Sequence, residues 1–378
     1  MTLDRVLRAF MRFVPGIIFA SIFLTASIDA AAPGPEGKTR IAVVGLDHDH
    51  VWGLLRDIAK EPDAELVAIA ETQDALVKRA KERVPPSVKF YTDYIKMLDE
   101  LKPDAVIATT ENDRHFEILQ ECAKRHIHYS TEKPMATTAK DALEMERLAE
   151  SAHIKLMVNY WNAWVAPTPA LQKRVAAGEV GNIQKIIVEY GHAGPKEIGV
   201  SPQFASWLYD PAKNGGGAIM DFGCYGAEWA VWLKGRPTKV YATTRKLKVS
   251  QNNSVDDDAT IVLDYPDGIA ILQASWDWPY GMESVQVFGP KGSLLATAEE
   301  LLFRTPKDDV KTVGLYGKKI SAEPLPADRS NPVRYFVNAI RNDSPIEDPV
   351  SGRLNVQVME VLDAARKSVR TGKAEMLD

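Results

Sequence analysis

Three side chains carry the chemistry most readily read from this sequence: Lys133, Asp221 and Tyr225. Lys133 lies in Glu132-Lys133-Pro134, directly after the apolar stretch IHYST (127–131). A lysine at the carboxyl end of a strand can orient a substrate hydroxyl and exchange its proton, the more so where a neighbouring cation or a cofactor's ring charge lowers its pKa. Read alone, such a lysine is a solvated loop charge, and only its position and company give it weight. Asp221 and Tyr225 belong to NGGGAIMDFGCYGAEWAVWL, where three glycines lead into a helix and the two residues, four apart, fall on one helical face. The aspartate can accept a proton or orient a hydroxyl. The tyrosine can donate a hydrogen bond, or act as acid or base if a nearby lysine depresses its pKa. Taken singly, the aspartate reads as a helix cap and the tyrosine as a packing residue.

Elements able to position these groups are visible in the hydrophobic pattern. From Arg40 to about Tyr160, short β-branched runs alternate with amphipathic stretches, the sign of repeated βαβ units and a parallel sheet. IAVVG (41–45), ELVAIA (65–70), AVIATT (105–110), IHYST (127–131) and KLMVNY (155–160) read as strands. VWGLLRDIAK, QDALVKRAKERV, HFEILQECAKR and AKDALEMERLAESA read as helices between them. The fold class is α/β, with a Rossmann-type doubly wound domain expected over 38–160. Beyond Trp161 the pattern changes to longer alternating runs (IQKIIVEYGH, ATIVLDYP, IAILQASWDW, ESVQVFG) broken by Pro, Gly and Asp turns. They predict an α+β domain over 161–378 with a large, mostly antiparallel open sheet. One helix (222–233) interrupts the strands and two follow at the C-terminal end.

In a doubly wound domain the turn after the first strand offers unpaired N–H groups to a phosphate. Here it reads Gly45-Leu46-Asp47-His48-Asp49-His50. Gly45 keeps the first glycine of the G-x-G-x-x-G fingerprint, Asp47 replaces the second and His50 the third. Asp47 opposes a pyrophosphate by size and charge; its other use is to cap the helix, with His48 or His50 donating to a phosphate. Glu71 ends the second strand, where a carboxylate receives the adenosine ribose hydroxyls, and this favours NAD while leaving NADP open.

The chain has 378 residues and a formal net charge of −5, with Lys and Arg scattered, so no nucleic-acid footprint is present and a small-molecule partner is expected. Cys122 and Cys224 are in no metal or redox spacing and exclude a disulfide framework. Arg5, Arg8 and Arg12 precede FVPGIIFASIFLTAS, which runs into IDAAAP with Ala30, Ala31 and Ala32. This reads as a cleaved signal peptide over 1–32, giving a periplasmic or secreted protein with no membrane association after cleavage.

Taken in order, these features resemble the Gfo/Idh/MocA family of oxidoreductases over nearly the whole mature chain. The resemblance rests on the acidic end of the second strand, TTENDRH (109–115), EKP (132–134), GEVGNI (178–183), the W-x-x-D-P of Trp207, Asp210 and Pro211, and GGG-x-x-x-D-x-G-x-Y. It implies NAD or NADP held by Gly45, Asp47, His48, Glu71, Thr109, Asn112, His115, Glu132 and Lys133. It also implies reaction at Lys133, Asp221 and Tyr225, the last standing where the family usually has histidine. Trp161, Asn162 and Trp207 are the expected substrate contacts, although NYWNAW (159–164) lacks an arginine that many relatives place there.

The expected activity is hydride transfer to or from a carbinol carbon of a sugar or polyol, by a homodimer or homotetramer that keeps its cofactor bound. Three rivals stand beside it: glycoside cleavage through transient oxidation, a non-catalytic sugar-binding relative, and a hydrolase with Asp47, His48 and His50 as metal ligands. No metal is expected, because no further histidine cluster accompanies the H-x-H.

Overall fold

In the computed structural model, residues 37–248 and 254–377 are described. The apolar N-terminal segment read as a signal peptide lies outside them.

The first half contains β1 (Thr39–Val44), α1 (Val51–Lys60), β2 (Ala64–Ala70), α2 (Asp74–Lys81), β3 (Lys89–Tyr91), α3 (Tyr94–Leu101), β4 (Ala105–Ala108), α4 (His115–Ala123), β5 (His128–Glu132), α5 (Ala139–Ser151) and β6 (Leu156–Asn159). The strands form a parallel sheet in the order β3-β2-β1-β4-β5-β6, as repeated right-handed βαβ units require. Alternation along each strand sends neighbouring side chains to opposite faces. Ile41, Val43, Ile69 and Ile107 join one buried cluster with α1, while Ala42, Val44, Ala70 and Val106 join another with α4 and α5. The order reverses between β1 and β4, which opens a crevice at their carboxyl ends.

The second half runs through α6 (Pro167–Ala176), β7 (Lys185–Gly191), α7 (Pro202–Leu208), α8 (Pro211–Asn214), α9 (Ala218–Asp221), α10 (Gly223–Lys234), β8 (Lys239–Arg245), β9 (Asp258–Tyr265), β10 (Gly268–Ser275), β11 (Met282–Gly289), β12 (Gly292–Thr297), β13 (Leu301–Arg304), α11 (Val310–Val313), β14 (Lys318–Ile320), α12 (Pro332–Arg341), α13 (Gly352–Thr371) and β15 (Glu375–Met376). Its nine-stranded sheet has the order β14-β13-β12-β11-β7-β10-β9-β8-β15 and is antiparallel except between β7 and β10. Val188, Tyr190, Ile261, Leu263, Leu272 and Val285 point inward and are buried beneath α9, α10 and α13. Alternate residues such as Ile187, Val262 and Ile271 stay half-exposed on the open face. The chain then returns to the first sheet: α12 packs on α1, and Val158 N–H donates to Val350 O at 2.9 Å.

Candidate active site

β5 carries Glu132 and Lys133 to the edge of the parallel sheet, and both side chains are buried. The Lys133 ammonium donates to Asp221 Oδ1 in a short contact and to Asp221 O at 3.1 Å. Trp276 Nε1 donates to Asp221 Oδ2 at 2.9 Å. Burial works against the charge on Lys133, but attraction to Asp221 prevails and its pKa stands above the ordinary lysine value. Burial likewise disfavours the Asp221 carboxylate, and the Lys133 charge and hydrogen bond reverse this, holding its pKa below the ordinary value. The pair is ionised and dry, so the lowered lysine pKa expected from the sequence is absent from the protein by itself.

The glycine run explains how Asp221 gets there. A Cβ on Gly217 would lie 1.8 Å from Asp256 O. The glycine thus allows Gly217 and Ile219 N–H to reach the Asp256 carboxylate at 2.9 and 2.8 Å, which anchors the start of α9. The helix predicted to carry both residues is interrupted: α9 ends at Asp221, Phe222 intervenes, and Tyr225 belongs to α10. Asp221 and Tyr225 nevertheless both face Lys133, whose Nζ is 5.1 Å from the Tyr225 ring centroid. That tyrosine stacks on Tyr190 at 4.8 Å and meets Tyr160 edge-on at 5.3 Å. Burial drives its hydroxyl pKa well above the usual value, and the ammonium lies over the ring face. The expected depression by lysine is therefore corrected, and Tyr225 is a neutral aromatic wall at ordinary pH.

The crevice between β1 and β4 holds the residues expected to bind a dinucleotide. Gly45 has φ +79°, and a Cβ there would strike Thr110 Cγ2 at 2.3 Å, so this turn requires glycine. Thr109 Oγ1 donates to Gly45 O at 2.6 Å and ties the two strand ends together. Glu71 accepts from Leu46 N–H at 2.7 Å and from Thr72 and Gln73 N–H at 2.7 and 2.8 Å, placing its carboxylate at the turn. Asp47 does not cap α1; it receives Gln73 Nε2, and burial next to Glu71 and Glu111 raises its pKa to about 7. Gly45, Asp47, Glu71, Thr72, Tyr94 and Arg114 line one cavity. Its glycine cradle and ribose-side carboxylate fit a dinucleotide, with Asp47 turned across the ribose end.

Asn112 and His115 are placed differently. Asn112 Nδ2 donates to Asn214 Oδ1 at 2.7 Å, and His115 is buried with Nδ1 3.3 Å from Met135 O. Both brace the loop after β4. His48 and His50 come together with Glu132, one ligand atom of each lying within 4.8 Å of the others. The third member is a carboxylate from β5 rather than Asp47, which no local spacing could reveal. His48 Nδ1 accepts from His50 N–H at 3.2 Å, His50 Nδ1 meets Glu132 Oε2 at 3.0 Å, and Asn159 Nδ2 donates to Glu132 Oε1 at 2.7 Å. In this structure the three side chains are joined in a hydrogen-bond network.

Of the expected substrate contacts, Trp161 and Asn162 line a cavity with Tyr190, Trp229 and Glu283. Asn162 Nδ2 donates to the buried Glu228 at 3.2 Å. Trp207 stands apart, packed on Phe204 at 5.1 Å and near His48 at 5.8 Å. Sequence reasoning passed over Trp276, Glu283 and His192. Glu283 shares the inward parity of Val285 on β11, and burial raises its pKa to about 7. Strand alternation was the available signal for it, whereas Trp276 and His192 follow strand ends, where alternation stops.

Residues 39–160 match the family model described as oxidoreductase family, NAD-binding Rossmann fold, and 169–295 match the GFO/IDH/MocA C-terminal domain. The chain belongs to the Gfo/Idh/MocA oxidoreductase family. Its Rossmann domain is of the NAD-binding type. Among its relatives, D-xylose 1-dehydrogenase (NADP(+)) 2 of Haloferax volcanii is 26% identical over 83% of this chain and 92% of its own length. D-apiose dehydrogenase of Paraburkholderia graminis is 25% identical over 86% of this chain and 85% of its own. The solved aldose-aldose oxidoreductase of Caulobacter crescentus, complexed with glycerol, superposes with a TM-score of 0.75 at 22% identity, covering 90% of this chain and all of that one.

Proposed function

We propose that this family member is an exported dehydrogenase of sugars or polyols, with a dinucleotide-binding half (38–160), a substrate half (161–378) and a homo-oligomeric assembly. The observation that carries the reading is the dry Lys133–Asp221 pair at the carboxyl edge of the same parallel sheet whose β1 and β2 ends bring Gly45 and Glu71 to one cavity. When bound there, nicotinamide supplies or accepts the hydride. Gly45, Thr109 and Glu71 would hold the dinucleotide, and Trp161, Asn162 and Glu283 supply aromatic and polar groups in the second half that could meet the substrate. In reduction, the Lys133 ammonium gives its proton to the developing alkoxide; in oxidation, the same nitrogen takes the hydroxyl proton only after losing its own, the ammonium charge being opposed by the positive ring of bound oxidised nicotinamide. Asp221 keeps that nitrogen in place and balances its charge. Burial of the site excludes water from the transfer.

Release of nucleotide from purified protein, identified by mass spectrometry, and oxidation of aldoses and polyols followed at 340 nm test the reading together. Bound NAD(H) or NADP(H) with turnover of an aldose is expected. Protein with no affinity for either dinucleotide sinks it, and glycoside hydrolysis without net dinucleotide turnover would redirect it to transient oxidation.

A further inference from the structure

Tyr225 is walled in by aromatic rings and held neutral, which leaves open what grips the substrate oxygen opposite Lys133. His192 is placed to do so. It follows the last residue of β7 in the one parallel pairing of the second sheet, where Gly191 lies beside Ser275 of β10. His192 N–H donates to Ser275 O at 3.0 Å, and His192 O accepts from Trp278 N–H at 3.2 Å, so the backbone is fixed on both sides. Across that pairing it is level with Trp276, whose indole reaches Asp221. The imidazole stands edge-on to Phe222 with centroids 4.9 Å apart, and Lys133 Nζ is 5.9 Å from the centroid of the same ring. Lysine, aspartate and histidine thus gather around the residue that separates α9 from α10.

The hydrogen bonding selects the tautomer. His192 Nδ1 accepts from Gly194 N–H at 2.9 Å. Gly194 has φ +112°, and a Cβ there would lie 2.8 Å from Trp276 O, so glycine is needed for the chain to fold back in this way. A nitrogen accepting from a backbone N–H carries no proton of its own, so in the neutral ring the proton is on Nε2. No partner for Nε2 is found among the described residues. Burial lowers the imidazole pKa; Asp221 opposes this and Lys133, with Lys248 more weakly, adds to it, leaving the ring neutral at ordinary pH. The ring's lone pair is committed to Gly194, so it is a donor and not a base.

We propose that His192 Nε2–H donates a hydrogen bond to the reacting oxygen of the substrate, opposite Lys133, and so fixes a sugar or polyol carbinol for hydride transfer. This rests on the dehydrogenase reading given above. Neutral imidazole suits that role, because it polarises a carbonyl and steadies a developing alkoxide without contributing a second positive charge beside Lys133.

The test uses the full chain with NAD(P)+ and three probes, D-xylose, D-glucose and myo-inositol, together with ¹⁵N NMR of the histidine rings. The expected results are an Nε2–H tautomer for His192 and a fall of roughly 10²–10³ in kcat/KM for His192→Ala, the usual loss on removing one oxyanion donor. NADH affinity should stay within about twofold, because the residue is assigned to substrate and not to cofactor. His192→Gln, which keeps an N–H donor, should recover about tenfold or more of that loss. An Nδ1–H tautomer overturns the proposal, as does near wild-type activity in His192→Ala. So does a wild-type ionisation near neutral pH that disappears in His192→Gln, since that marks a base. Wild type that binds NADH but turns over none of the probes overturns the dehydrogenase reading and this proposal with it. An Nε2–H tautomer in that sample would locate the failure in the functional reading and not in the histidine geometry.

Discussion

Replacing either member of the Lys133–Asp221 pair should cost far more than replacing both. With side chains only 6% and 12% exposed, neither group has bulk water to fall back on. Lys133→Met leaves Asp221 with the Trp276 N–H at 2.9 Å and no contacting cation. Asp221→Leu leaves the ammonium with a backbone carbonyl at 3.1 Å. Breaking a buried pair from one side costs about 3–5 kcal/mol, so the two single changes sum to roughly 6–10 kcal/mol. The double change removes both charges and puts apolar groups in their place, an exchange that lies between neutral and about 4 kcal/mol favourable. Against that stands the lost acceptor of the Trp276 indole, worth about 1–3 kcal/mol. The double variant should therefore lie within about 3 kcal/mol of wild type, giving a coupling energy of at least about 3 kcal/mol.

Urea melts of all four proteins, followed by tryptophan fluorescence and circular dichroism, measure it. The sign of the pH dependence follows from the two shifts. Asp221, depressed in the folded state, contributes stability above its unfolded pKa of about 3.9 and loses it as pH falls. Lys133, raised in the folded state, contributes below its unfolded pKa of about 10.4 and loses it as pH rises. The coupling should be fully present between these limits. Single changes costing under about 1 kcal/mol, or additive with each other, would refute a dry ionised pair and behave as a solvated surface one.

Asp47 gives a second test. Ionisation of a carboxyl with a pKa of about 7 at the ribose end of the dinucleotide cavity should weaken NADH binding as pH rises from 6 to 8, by roughly fivefold for about 1.4 kcal/mol of repulsion; fluorescence titration should find Asp47→Asn tighter and flat with pH. Glu71→Ala strips the acceptor from three backbone N–H groups, so equilibrium unfolding should register a loss of about 1–3 kcal/mol and titration a weaker NADH complex. Tyr225→Phe keeps the stack on Tyr190 and removes only a neutral hydroxyl, so the pH profile of kcat/KM should be unchanged; loss of an ionisation would restore Tyr225 as an acid or base.

The parallel sheet was legible because its strands and helices repeat two clear periods: α1 begins and ends with the amphipathic stretch VWGLLRDIAK. β3 and α3 went unread because a three-residue edge strand shows too little alternation, and the Asp93 cap that starts α3 is a single polar residue in a polar stretch. Lys133 and Asp221 stood out by order along the chain, yet their contact spans 88 residues and is a product of tertiary structure. The one-face expectation for Asp221 and Tyr225 assumed a continuous helix, which Phe222 breaks. Asp47 looked like a cap because aspartates commonly serve so at helix starts, but Gln73 from the next βα turn competes for it. His192 was invisible for a related reason. Its tautomer depends on the turn at Gly194 and its setting on a parallel pairing with a strand about eighty residues away.

Single-turnover reduction of stoichiometric NAD(P)+ by the three probes tests the role of the buried lysine most directly, comparing wild type with Lys133→Met at matched cofactor occupancy. A rise at 340 nm is predicted in wild type with at least one probe, and a rate at least about 10²-fold lower in Lys133→Met while NADH affinity is retained. Equal rates in the two proteins, or no hydride transfer from any probe in wild type with cofactor bound, would contradict it.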